Sequence, residues 1–268
     1  MRAVFLFIIF SFSVTLFAQD IRVEKFVIDG ELKTTDPISE GLGRINAVQL
    51  NFTKGDKFAS ELKADFVPML VLVPPSGDYI IEYPDQQTLV AKYEGEISET
   101  GSWFLYIVGD STDIGFYTLT NRYASASSME FGNDECSNLK NLIQHSKTDF
   151  YFLQDSNSNG SIKSYKGLSG KIISNSETLL SINLYEGNSF EDAIQILNDS
   201  SIEIEQCLGT DYQKSESGWM NDENNENLRK RNISFNALSG IANSVILELT
   251  HLRGDLDNYT LNLVISNN

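Results

Sequence analysis

Few residues in this chain have the types and spacing to do chemistry. Asp155-Ser156-Asn157-Ser158-Asn159-Gly160-Ser161-Ile162 sets oxygen ligands on alternate residues, a glycine at the sharp turn and an apolar residue after it. That is the order of a calcium-binding loop, with Asp155, Asn157 and Asn159 as candidate calcium ligands. Its twelfth position should hold a bidentate glutamate and is Lys166 instead, so calcium affinity should be weak. The same residues also build an ordinary polar turn. Arg253-Gly254-Asp255 is the tripeptide that integrins read, and a Gly-Asp pair is equally what a hairpin turn selects. The two histidines, His145 and His251, lie far apart, and no H-E-x-x-H, G-x-S-x-G, P-loop or G-x-G-x-x-G pattern occurs. The helical zinc-protease site is therefore excluded. A Ser-His-Asp or paired-carboxylate site assembled in space stays open.

Two aromatic groups are candidate binding residues. Tyr79 and Tyr83 follow a Pro-Pro-Ser-Gly turn, with Ile81 between them on the same face. Trp219, followed by Met220, interrupts a polar stretch from Asp211 to Arg231. Flat rings beside carboxylates suit sugars and peptide chains, because they offer large apolar area and have little entropy to lose. The alternative is structural: the tyrosines cover a sheet face and Trp219 pins its loop. Cys136 and Cys207 are the two cysteines, and in an exported chain a lone pair is expected to be bridged.

Export is the expectation from the N-terminus. Met1-Arg2 precedes the apolar run Ala3–Phe10, and a small residue at Ala18 completes a secretory signal too short to span a bilayer. Cleavage is expected after Ala18, leaving Gln19 or Asp20 at the start of the mature chain. No cysteine at that point offers a lipid anchor, and no later segment reaches membrane-spanning length. Formal net charge is −17 over 268 residues, which disfavours nucleic acid and anionic lipid surfaces and admits basic partners or divalent cations.

The elements that would position these residues fall into two sets. Ile45–Phe52, Phe66–Val73, Trp103–Val108 and Gly115–Leu119 are short strands rich in β-branched and aromatic residues, closed by Gly, Pro and Asp. They predict an antiparallel β-sandwich, jelly-roll or immunoglobulin-like, over residues 20–123. Trp103–Val108 is apolar on both faces and predicts a central, covered strand. A small-residue stretch at 124–130 predicts a linker. Residues 131–268 read as an α+β domain in the order α-β-β-α-β-β-β. The first helix is capped at Asn133 or Asp134 and buries Leu139, Leu142, Ile143 and Phe150; the second starts at Ser189 and buries Ala193, Leu197, Ile204 and Leu208. Both cysteines sit on apolar helix faces, so a bridge between two packed helices is expected.

The strand before Gly55-Asp56, the block from Asp65-Phe66 through Leu70-Val71-Leu72-Val73-Pro74-Pro75-Ser76-Gly77, the Thr100–Val108 strand and the closing Gly115–Leu119 strand together resemble the bacterial pre-peptidase C-terminal domain family. The resemblance covers about residues 23–123 and rests on patterns of a fold rather than of a reaction. It implies a non-catalytic module of the kind appended to secreted hydrolases and associated with export, substrate adhesion and, in some collagen-binding relatives, calcium. No catalytic domain precedes the sandwich here, which departs from that arrangement, and no acidic cluster for calcium is found within it. The expected function is an exported binding or adhesion protein for a polysaccharide, peptide or surface protein, without cofactor unless calcium binds at residues 155–162. The alternatives are a small secreted hydrolase sited near His145 or His251, and a structural envelope-assembly partner.

Overall fold

A computed structural model describes residues 22–85, 88–154, 161–174, 177–223, 225–238, 243–254 and 257–267. The first half contains β1 (Val23–Leu32), β2 (Ile38–Ser39), β3 (Gly43–Phe52), β4 (Lys57–Ala64), β5 (Met69–Val73), β6 (Ile80–Glu82), β7 (Val90–Glu96), β8 (Gly101–Gly109) and β9 (Gly115–Ala124). They form two antiparallel sheets, β1-β9-β4-β7 and β2-β3-β8-β5-β6, stacked as a sandwich. Side chains at every second position face inward. Leu70, Leu72, Trp103, Leu105 and Ile107 of one sheet meet Phe58, Leu62, Tyr93, Tyr117 and Leu119 of the other in one hydrophobic cluster. The Pro-Pro-Ser-Gly turn closes β5: Gly77 N donates to Pro74 O at 3.0 Å, and Gly77 takes φ +90°, which glycine adopts without strain.

The second half contains α1 (Glu135–Ser146), β10 (Ser161–Tyr165), β11 (Leu168–Ser174), β12 (Thr178–Gly187), α2 (Phe190–Leu208), β13 (Tyr212–Glu216), β14 (Met220–Asp222), β15 (Asn225–Ala237), β16 (Asn243–Leu252) and β17 (Asn258–Asn267). The order in the antiparallel sheet is β10-β11-β12-β17-β16-β15-β13, with β14 also pairing with β15. Both helices cover one sheet face, where Leu139, Leu142, Leu197 and Ile204 pack on Leu180, Ile182, Leu247, Leu249 and Leu261. Asp134 caps α1 by accepting from Cys136 N (3.2 Å), and Ser189 caps α2 by accepting from Asp192 N (3.2 Å). The predicted α+β order is present, with β10, β13 and β14 as additional strands. The stretch Asp211–Arg231, predicted as a hydrophilic loop, is instead β13, β14 and the first part of β15. Its backbone pairing, rather than apolar content, makes it sheet. Phe150 is buried as predicted but not on a helix. The chain leaves α1 after Ser146, passes through positive φ at Asp149 and Phe150, and folds the ring back into the core.

Cys136 and Cys207 form a disulfide with Cα atoms 5.0 Å apart, tying the start of α1 to the end of α2. The 124–130 stretch carries a tight 3-10 turn, Ala126–Met129, rather than open chain. Buried Asp56 anchors it, accepting from Tyr123 Oη (2.6 Å), Thr53 N (2.7 Å) and Ala126 N (3.1 Å). Past α1, Tyr151 reaches back to the sandwich. Its hydroxyl donates to Glu94 (2.6 Å), the Arg122 guanidinium lies 4.7 Å from its ring centre, and Lys25 pairs with Asp149 at 2.7 Å.

Candidate functional site

Along β8 successive side chains alternate between the two faces of the sheet. Trp103, Leu105 and Ile107 enter the sandwich core, whereas Phe104, Tyr106 and Val108 point away from it. Strand register fixes their neighbours. Phe104 stands between Val73 of β5 and Gln49 of β3, Tyr106 between Val71 and Ala47, and Val108 between Met69 and Ile45. β6 extends the middle row with Ile81 opposite Val71; Tyr79 and Tyr83 lie just outside β6 on either side, and Tyr83 lines a depression with Met69 and Val108. The outer face of the five-stranded sheet therefore carries adjacent apolar and aromatic rows, and it is open. Tyr83 is 70% exposed, Tyr79 65% and Phe104 38%. The Phe104 and Tyr106 rings stack at 6.2 Å, while Val71 and Val108 between the rings are buried. The prediction of a covered strand is thus corrected: Trp103–Val108 is central in its sheet, but only one of its faces is covered.

Polar groups border this face in a fixed arrangement. Beyond Phe104, Gln49 Nε2 donates to Ser102 Oγ (3.2 Å), which donates to Asn51 Oδ1 (2.7 Å). At the other end, Tyr83, Val67, Met69 and Val108 line a depression of about 450 Å³ together with Asp110 and Asp113. Asp113 accepts from Asp110 N (2.8 Å) and Asp110 from Ser111 N (2.6 Å), which holds both carboxylates in one turn. Arg44, 7% exposed, braces that turn: Nη2 donates to Ser111 O (2.9 Å), and Nη1 to the carbonyls of Lys33, Thr34 and Asp36. Of the chain's twenty lysines and arginines, none lies in 64–91 or 93–121, so every charged residue of those stretches is acidic. A larger depression of about 710 Å³ lies on the opposite sheet beside Phe116 and Tyr117. Its Asp29 accepts from Thr118 Oγ1 (2.7 Å) and its Asp36 from Lys33 N (2.7 Å).

Trp219 is not part of this face. It lies in the second half, partly buried against the helix-covered core, with the Arg229 guanidinium 4.5 Å from its ring centre and His251 edge-on at 6.2 Å. His251 is 4% exposed, stacks on Tyr259 at 4.4 Å and accepts from Arg229 Nε through Nδ1 (2.7 Å), which leaves its proton on Nε2, 3.0 Å from Asp257. His145 is fully buried. Its Nε2 donates to Ser128 O (2.9 Å), and burial pushes its pKa down to about 4. Both histidines are buried in packing.

The candidate calcium ligands Asp155, Asn157 and Asn159, and Asp255 of the Arg-Gly-Asp tripeptide, lie outside the described residues. Among the described residues there is no group of three or more His, Cys, Asp or Glu side chains placed to hold a metal ion, and no helix long and apolar enough to cross a membrane. Sequence reasoning named Tyr79 and Tyr83 and missed Phe104 and Tyr106. Their alternation with Trp103, Leu105 and Ile107 is the signal that would have placed them outward.

No family model matches the chain, and neither does any curated protein. Among solved structures, the pre-peptidase C-terminal domain of a collagenase from Bacillus anthracis aligns at 14% identity and a TM-score of 0.29, covering 37% of this chain and 89% of that one. A periplasmic inhibitor of g-type lysozyme from Salmonella Typhimurium aligns at 12% identity and 0.28, covering 37% and 87%. The corresponding inhibitor from Aeromonas hydrophila aligns at 9% and 0.28, covering 40% and 90%. At these identities and scores no function carries across.

Proposed function

We propose that this chain is an exported, non-catalytic binding protein whose ligand, a polysaccharide, a peptide or a surface protein, lies across the outer face of the five-stranded sheet. The observation that supports this reading is the open aromatic face built by Tyr79, Tyr83, Phe104 and Tyr106. Aromatic rings have few rotatable bonds, so they lose little entropy on binding and gain apolar contact that water denies them. Export is supported by the N-terminal segment and by the Cys136–Cys207 bridge, since disulfides persist in oxidising compartments. A non-catalytic role is supported by the burial of both histidines.

The test is a pull-down of the mature chain on insoluble polysaccharides, collagen-like and other fibrous proteins, and cell-envelope fractions, each with calcium and with chelator. Retention on one polymer, lost in Tyr79→Ala/Tyr83→Ala at unchanged melting temperature, is the expected result. Retention unaffected by those substitutions would move the site elsewhere. Loss under chelator would bring the 155–162 loop into the function.

A further inference from the structure

The charge around the aromatic face narrows what it accepts. Face residues on β3, β5, β6 and β8 carry no charge, as Gln49, Ala47, Val73, Val71, Phe104, Tyr106 and Ile81 show. Its surroundings are acidic apart from two cations: Arg44, whose guanidinium is taken up by backbone carbonyls, and Lys54, beyond the Ser102 end of the sheet. Asp110 and Asp113 line the depression beside Tyr83, Asp78 precedes Tyr79, Asp85 follows Pro84, and no lysine or arginine occurs in 64–91 or 93–121. A neutral sugar polymer needs the rings but gains nothing from such a rim, and an anionic polymer is repelled by it.

Resting on the binding reading above, we propose that the ligand is a cationic polypeptide surface, in which lysine or arginine side chains lie over the rings while neighbouring apolar groups fill the depression at Tyr83. A cation over a tyrosine or phenylalanine face is attracted by the ring quadrupole, and a guanidinium or ammonium there can reach a carboxylate at the rim. The carboxylates of Asp110 and Asp113 are oriented before binding by the turn that Arg44 braces, so the partner meets a prepared acidic edge. The −17 chain adds long-range attraction that speeds encounter at low ionic strength.

The experiment measures binding of the mature chain to an immobilised lysine–tyrosine copolymer, to polylysine and to an insoluble neutral β-glucan, at low and high salt. Wild type, Asp78→Asn/Asp113→Asn and Tyr79→Ala/Tyr83→Ala are compared, with melting temperatures as the folding control. The expected result is tightest binding to the copolymer, weakened by salt. Affinity should fall about fivefold in the Asp→Asn pair and about tenfold or more in the Tyr→Ala pair. Retention on the glucan, insensitive to salt and to Asp→Asn but lost in Tyr→Ala, would overturn the cationic partner and leave the binding face standing. Equal binding to polylysine and copolymer, unchanged in Tyr→Ala, would reduce the effect to bulk charge and overturn the proposal. No binding to either cationic polymer would overturn it too.

Discussion

Each half of this protein has a sheet face turned away from its hydrophobic core, and the two faces are made of different residues. In the eight-stranded sheet two outward rows across β12, β17, β16 and β15 are polar, Asn183–Asn262–Glu248–Asn232 and Glu186–Thr260–Thr250–Lys230, with Val264, Ile246 and Leu252 also outward but without aromatic rings beside them. In the five-stranded sheet the corresponding rows across β5, β8 and β3 are Val73–Phe104–Gln49 and Val71–Tyr106–Ala47. Water satisfies the polar rows of the first face. The second leaves rings half-solvated, forgoing up to about 1.5–3 kcal/mol for each large side chain left exposed rather than buried. The comparison teaches that one alternating pattern can make a mainly polar wall or an open aromatic face, depending on what stands at the outward positions.

The comparison can be broken at several points. Replacing Cys136 and Cys207 together by serine should destabilise the second half by up to about 4 kcal/mol, from the loop entropy of a 71-residue separation, and leave polymer binding by the sandwich unchanged. Denaturant unfolding monitored beside a pull-down checks both. Neighbouring residues of β8 should behave oppositely. Leu105→Ala, in the core, should cost about 3 kcal/mol of stability. Phe104→Ala should cost under about 1 kcal/mol of stability and reduce binding about tenfold or more.

His145 sharpens the contrast through pH. Its folded pKa of about 4 lies below the ordinary histidine value of 6.5, so the unfolded chain binds the proton more readily between those values. The stability is fully present above pH 6.5 and is lost as pH falls toward 4, by about 2 kcal/mol between neutral pH and about pH 5. His145→Gln should flatten that slope in denaturant titrations. The smallest effect is expected at the mainly polar wall: Thr250→Ala should change stability by less than about 0.5 kcal/mol and binding not at all.

The sequence announced strands where apolar residues are β-branched and bounded by Gly, Pro and Asp, and it announced both helix starts through Asp134 and Ser189. It did not announce β13 and β14. Tyr212, Trp219 and Met220 are too sparse for periodicity, and edge pairing with β15 is a property of the neighbour, not of the segment. Tyr79 and Tyr83 were legible because they stand alone around a short strand. Phe104 and Tyr106 were not, because an apolar run reads the same whether its second face is covered by the chain or left open. That difference lies in the register with Val71, Val73 and Ala47, which only the fold supplies.

The most direct test is hydroxyl-radical footprinting of the mature chain, alone and bound to the polymer that retains it. Protection of Tyr79, Tyr83, Phe104 and Tyr106 is predicted, with Met220, Leu238 and Leu252, exposed in the second half, reacting as before. Protection falling on that second group while the four rings stay reactive would contradict the account.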